Sequence, residues 1–101
     1  MPNLDRIEIV RIDDDGNMAT HAISRCVDVN RTRSTEFAES GGERNAQYVT
    51  FRVRWSKRIS EIEFDMPRYR IVWRGVEFDV RGYDDYHYQH RTVDLTGVSY
   101  G

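Results

Sequence analysis

The chain has 101 residues, which is enough for one domain with a thin hydrophobic core. Its 15 basic and 17 acidic residues nearly cancel, leaving a formal net charge of −2, which argues against a module that grips nucleic acid through a strongly basic surface. The single cysteine, Cys26, excludes an internal disulfide, and no apolar run approaches the length of a membrane span, so we expect a soluble protein made in the cytoplasm.

Apolar and polar residues alternate with a period of two along much of the chain, and this period is typical of β-strands. In chain order the predicted strands are 6–12, 21–29, 49–55, 69–73, 76–80 and 91–98. Residues 13–17 have the composition of a turn, and Arg74-Gly75 predicts a tight hairpin because glycine supplies a positive φ. We therefore predict a single domain over residues 1–101 with an all-β fold, a barrel or sandwich of about six strands.

Two connections are longer than a turn requires. Residues 30–46 show no strand pattern, so we predict one long loop between the second and third strands, with a flexible tip at Gly41-Gly42. Loops of this length inside small domains are usually functional or disordered. The other connection, residues 57–67, carries Ile59, Ile62 and Phe64, which we expect to dock on the core.

The aromatic and acidic stretch 83–90 is the part of the sequence that most resembles a catalytic or metal-binding site. The spacing of its ionisable groups matches no standard metal-binding signature. These groups are Asp84, Asp85, His87 and His90. A zinc site would also need a further protein ligand held by a fixed scaffold. We therefore expect no metal, no cofactor and no catalytic residue, and nucleophile-elbow, phosphate-loop and metalloprotease motifs are also missing from the sequence. The tyrosines of this stretch have the amphipathic side chains that are typical of protein interfaces.

The order and spacing of these elements, along nearly the whole chain, resemble the head-tail joining (head-closure, or stopper) proteins of long-tailed bacteriophages and gene transfer agents. The segments that carry the resemblance are the Arg-Ile-Glu-Ile-Val-Arg strand at 6–11, the acidic turn at 13–17, Ser-Gly-Gly-Glu at 40–43 with Ala46, the strand at 49–55, the hairpin at 69–80 and the final strand at 91–95. Two departures stand out: Ser24-Arg25-Cys26 replaces an aromatic-alanine pair, and the stretch 83–90 is longer than in many relatives.

This resemblance implies a virion protein that is not an enzyme and whose subunits form a homo-oligomeric ring at the head-tail junction, assembled in the host cytoplasm. Such a ring connects a portal or adaptor ring on the head side to a tail terminator or tail-completion protein on the tail side. It closes or gates the exit channel, and double-stranded DNA passes through it without specific binding. No membrane is involved.

Two groups of residues are candidates for these roles. The long loop is the candidate to reach into the channel, through Arg31, Arg33, Glu36, Phe37, Glu39, Gly41, Gly42, Glu43 and Arg44. The candidates for contacts with other subunits or partners are Arg52, Arg54, Tyr83, Tyr86 and Tyr88.

An alternative function is a small nucleic-acid-binding barrel of the OB or SH3-like type. Aromatic residues interleaved with arginines, as in 49–55, are able to stack on single-stranded nucleic acid. The alternation disfavours this function, because it places the aromatic side chains and Arg52 and Arg54 on opposite faces of the strand. A third class, a small metal-dependent enzyme, would depend on His87 and His90.

Overall fold

The computed structural model describes residues 5–37, 43–85 and 88–100. Its strands are β1 (Arg6–Ile12), β2 (Met18–Phe37), β3 (Glu43–Arg54), β4 (Tyr69–Trp73), β5 (Val76–Asp85) and β6 (Thr92–Tyr100). They form a closed antiparallel barrel in the order β1-β2-β3-β6-β5-β4. Between β3 and β4 lie a one-turn helix, α1 (Lys57–Ser60), and two 3₁₀ turns, Glu61–Phe64 and Met66–Arg68. The predicted all-β barrel is confirmed.

Two turns fix the register of the strands that flank them. In the β1–β2 turn, Asp13 Oδ1 accepts hydrogen bonds from the backbone N–H groups of Asp15 and Asn17, both at 2.9 Å. An aspartate that bonds its own following backbone is a common turn device. In the β4–β5 hairpin, Arg74 and Gly75 have φ angles of 52° and 77°, so both central residues are left-handed. This is the turn whose twist matches that of paired strands.

Alternate residues of the strands fill the barrel with apolar side chains. Phe51 lies at the centre, fully buried, and meets Trp73 edge-on at 5.5 Å and Phe78 edge-on at 5.7 Å between ring centroids. Such T-shaped pairs favour one fixed arrangement of the rings. Gly97 faces Phe78 from β6, and a Cβ atom at this position would lie 2.9 Å from the Cβ of Phe78. The core is therefore closely packed at this point.

The prediction of a long loop over 30–46 is wrong for the described residues. β2 extends to Phe37 and β3 begins at Glu43, and the two strands remain paired from Asn30↔Thr50 to Phe37↔Glu43. The physical reason is that backbone hydrogen bonds hold this part of the hairpin together. Alternation of apolar and polar residues appears only where one face of a strand packs on a core, so the sequence gives no strand signal here. The predicted tip at Gly41-Gly42 lies outside the described residues.

The connection between β3 and β4 covers one end of the barrel. Ile59 and Ile62 are buried, as predicted, but Phe64 is 86% exposed, so the expectation that it docks on the core is wrong. The last turn is 3₁₀ in form, with a tighter repeat than an α-helix, and Phe64 points away from the side that carries Ile62. Within the described ranges, none of these short helices has the length or apolar content that a bilayer crossing requires.

His21 of β2 ties this connection to the barrel wall. Its Nε2 lies 2.9 Å from the backbone oxygen of Arg58, to which it donates, and 3.3 Å from Glu61 Oε1. The imidazole also meets Tyr69 edge-on, with centroids 5.0 Å apart. Ser56 caps the start of α1, where its Oγ accepts from the backbone N–H of Ile59 at 3.2 Å. These contacts fix the position of the whole segment, including the exposed Phe64.

Candidate interaction surfaces

The two ends of the barrel differ in structure. At one end the β2–β3 hairpin continues past the last pair between β3 and β6, which joins Ala46 to Tyr100. At the other end lie the β1–β2 turn, the helical connection and the link between β5 and β6. A molecule with two unlike ends is able to contact two different partners along one axis.

The hairpin contains most of the residues predicted to line a channel. Arg31, Arg33, Glu36, Phe37, Glu43 and Arg44 are strand residues of this hairpin. Glu39, Gly41 and Gly42 lie outside the described residues. The guanidinium of Arg31 lies 5.5 Å from the centroid of Trp73, so it covers the end of the aromatic core. The structure thus places these residues on a paired, two-stranded projection.

One edge of β2 lacks a strand partner in the described part of the chain. The β1–β2 pairing begins at Arg6↔Arg25, and the backbone N–H of Cys26 donates to the carbonyl of Asp5 at 2.7 Å. Beyond that point β2 is paired with β3. A bulge between Cys26 and Asp28 marks this change, with Val27 as the extra residue. Bulges of this kind bend a strand and increase its twist.

Arg52 and Arg54 lie on the outer face of β3, as predicted, but their surroundings differ. Arg52 binds Asp94 of β6 through two hydrogen bonds, Nε to Oδ1 at 2.9 Å and Nη2 to Oδ2 at 3.3 Å. The hydrogen bond and the charge of Asp94 raise the pKa of Arg52 above its usual value. Arg54 is exposed, and no ion pair involves it within the described ranges. Of the two, Arg54 is therefore the one whose charge is available to a partner.

The three tyrosines predicted at an interface have different positions. Tyr83 packs against the core, and burial, with the charges of Asp85 and Glu63, raises the pKa of Tyr83 to about 12. Tyr88 is 68% exposed, and its hydroxyl donates to Glu63 Oε2 at 3.0 Å. Tyr86 lies outside the described residues. Tyr88 is therefore the tyrosine that the structure presents to a partner.

Asp85 and His90 form a structural contact at the end of β5. The carboxylate of Asp85 is almost fully buried and accepts from the backbone N–H of His90 at 3.2 Å, while His90 Nε2 lies 3.6 Å from its other oxygen. The imidazole stacks on Trp55, with centroids 4.4 Å apart and planes at 3°. In the part of the chain that the structure describes, no group of three or more His, Cys, Asp or Glu side chains is arranged to hold a metal ion. His87 lies outside that part.

Two residues of this region, the exposed Phe64 and the half-buried Glu63, were not among the predicted interface residues. Glu63 lies beside Tyr88, whose hydroxyl it binds, although 25 residues separate the two in the chain. The sequence carried no signal for this proximity, because it depends on how the helical connection packs next to β5. Phe64 was expected on the core because large apolar residues in a connection are usually buried.

Comparison with known proteins gives one family. The model of the phage head completion protein family matches residues 6–98, from the first residue of β1 to near the end of β6. No curated protein and no solved structure matches the chain. The matched range includes β1 to β5, most of β6 and the helical connection.

Proposed function

Because the chain belongs to the phage head completion protein family, whose members are structural parts of the phage head, we propose that it forms a ring at the head-tail junction of the virion. In this role it connects a portal or adaptor ring on the head side to a tail terminator or tail-completion protein on the tail side. The observation that carries the proposal is the family match over residues 6–98. The two unlike ends of the barrel support it, since a connector meets a different partner at each end.

The hairpin gives this ring a means to close or gate the DNA channel. It projects beyond the barrel, and pairing of its two strands gives it more stiffness than an open loop would have. The 15 basic and 17 acidic residues of the chain nearly balance, so that its net charge is only −2. A near-neutral ring lets DNA pass without holding it, because tight non-specific binding needs many unbalanced basic contacts.

Heads assembled without this protein provide the test. We expect them to package DNA but to lose it and to accept no tails, and purified wild-type protein should restore both properties. Electron microscopy of the restored particles should show an added ring below the portal. The proposal is wrong if heads that lack the protein keep their DNA and accept tails normally, or if the added protein does not associate with heads.

A further inference from the structure

Three arginines lie side by side on the outer wall of the barrel. Arg6 of β1 is directly opposite Arg25 of β2. Cys26 of β2 pairs with Val53 of the antiparallel strand β3, so the preceding Arg25 lies next to Arg54. Arg25 and Arg54 line one open depression in the surface. All three side chains are exposed. We call Arg6, Arg25 and Arg54 the arginine row.

The arginine row has no counter-charge within the described residues. Other outer-wall arginines have carboxylate partners: Arg70 lies 3.0 Å from Asp79, and Arg74 lies 3.1 Å from Asp5. No ion pair is formed by any member of the row in ranges 5–37, 43–85 and 88–100. Like charges directly opposite each other on neighbouring strands are destabilising. The isolated subunit therefore carries an electrostatic cost that a negatively charged partner would remove.

Apolar side chains accompany the row. Val27, the bulged residue beside Arg25, is 51% exposed, and Ile23, two positions before Arg25, is 64% exposed. A surface that combines unpaired arginines with exposed aliphatic groups has the composition of a protein interface, in which arginine and apolar residues are enriched. Nucleic acid would use the arginines but would leave the aliphatic groups exposed to water.

A complementary surface lies around β5. Asp84 is exposed and directly opposite Asp94, whose carboxylate is already bound to Arg52, and Asp84 forms no ion pair within the described residues. Beside β5, the turn Glu61–Phe64 carries the exposed Phe64 and also Glu63, which accepts a hydrogen bond from the exposed Tyr88. We call Glu63, Phe64, Asp84 and Tyr88 the acidic patch. It combines negative charge with aromatic rings, which attract guanidinium groups.

The central strand of the arginine row and the strand that carries Asp84 lie on opposite sides of the barrel. In the closed order β1-β2-β3-β6-β5-β4, β2 at the centre of the arginine row is three strands away from β5 in either direction. Complementary surfaces on opposite sides of one subunit produce a head-to-tail contact, and a repeated head-to-tail contact closes into a ring when the rotation allows it.

We propose that the arginine row of one subunit docks on the acidic patch of the next copy of the same chain. This inference rests on the proposed ring and specifies which walls of the barrel meet within it. The occupant is a second copy because this chain itself supplies the matching charge and the matching apolar surface. The projecting hairpin at one end and the β1–β2 turn at the other then remain free for the partners above and below the ring.

Charge exchange between two variants tests this pairing. Arg25→Glu with Arg54→Glu makes both surfaces negative, and Glu63→Arg with Asp84→Arg makes both positive. We expect each double variant alone to enter heads at least tenfold less than wild type. An equal mixture should recover incorporation, because alternating subunits restore opposite charges at every contact. Arg81→Glu, which reverses the charge of an exposed arginine on the barrel wall outside both surfaces, is the control and should incorporate normally.

Two further measurements distinguish a lost subunit contact from a misfolded variant. Circular dichroism and thermal unfolding establish that each variant is folded. Arg25→Gln, which relieves the repulsion between arginines, should raise the melting temperature of the isolated subunit while lowering incorporation. If both double variants are folded and the mixture does not recover, or if each enters heads normally alone, the pairing is wrong although the head role stands. If wild type itself does not bind heads, the proposed function fails. Salt-sensitive DNA binding that is lost in the Arg25→Glu, Arg54→Glu variant would assign the row to phosphate and overturn the inference.

Discussion

Gly97 shows how one missing side chain sets the packing of the core. A Cβ added here would lie 2.9 Å from the Cβ of Phe78, closer than two such carbons can approach. We expect Gly97→Ala to destabilise the fold by about 1–3 kcal/mol, the usual cost of overpacking a dense core. Denaturant unfolding measures this change. Gly82→Ala is the control, because its Cβ would meet only the side chain of Thr96, at 3.2 Å, and a loss as large there would contradict the argument.

Cys26 makes stability depend on pH. Burial, and secondarily the charge of Asp5, raises the pKa of this thiol from 9.0 to about 11. Below pH 9 the thiol is protonated in both the folded and the unfolded chain, so its contribution to the free energy of unfolding is fully present. As pH rises from 9 to 11 the unfolded chain loses the proton first, so stability falls, by roughly 2–3 kcal/mol over the interval. We expect Cys26→Ala to show a shallower fall than wild type in unfolding measured over this range, and equal slopes would contradict the burial effect.

The same burial controls the reactivity of Cys26. Thiolate is the reactive form, and a buried protonated thiol is inert. Thiol reagents at neutral pH therefore report the unfolded fraction of the chain.

At the level of elements, His21 holds the helical connection on the barrel. Its Nε2 bonds the backbone oxygen of Arg58 at 2.9 Å and approaches Glu61 at 3.3 Å. We expect His21→Ala to cost about 1–3 kcal/mol, because a carbonyl loses its donor, and to increase amide exchange over residues 57–64. Glu61→Gln is the matched variant, since it keeps the bond to Arg58. The anchoring role is wrong if both variants change exchange by the same amount.

The projecting hairpin is separable from the barrel. Thr35 and Asn45 are directly opposite each other, beyond the last β3–β6 pair. Replacing residues 36–44 by a two-residue Asn-Gly turn therefore connects paired residues with a turn of the required twist. We expect the shortened protein to fold with an unchanged melting temperature and to enter heads, which then leak DNA.

Retention of DNA by heads that carry the shortened protein would exclude a gating role for the hairpin. Unfolding of the shortened protein would show instead that the hairpin belongs to the core structure. The extent of DNA loss is measured by the sensitivity of the packaged genome to added nuclease.

The elements differ in how far the sequence could predict them. β1 and β4 have the predicted bounds, 6–12 and 69–73, because each has one face on the core and ends at a turn. β2 and β3 extend well past their predicted ends, since paired strands beyond a core need no apolar alternation. The arginine row was beyond prediction because it depends on cross-strand register, which places Arg6 beside Arg25. The acidic patch was beyond prediction because it depends on the packing of the helical connection, which places Glu63 beside Tyr88.

At the scale of the whole molecule, association should depend on a template. Exposed ion pairs contribute only about 0.2–1 kcal/mol each, so a single contact between two subunits is weak. A ring assembled on an existing ring gains from high effective concentration, because each subunit is held next to its neighbours. We expect sedimentation of the isolated protein at micromolar concentration to show monomers. A stable ring in dilute solution would contradict this expectation.

Barrel closure also determines how the subunit folds. Two of the pairings that close it, Arg11↔Tyr69 between β1 and β4 and Val53↔Val93 between β3 and β6, join segments that are distant in the chain. Chains that depend on such non-local pairings fold slowly, on the order of milliseconds to seconds, and expose strand edges until closure. β2 and β5 take up opposite positions only when the barrel closes. A newly made chain therefore acquires both of its docking walls in the last step of folding, and incompletely folded copies are excluded from assembly by the same event.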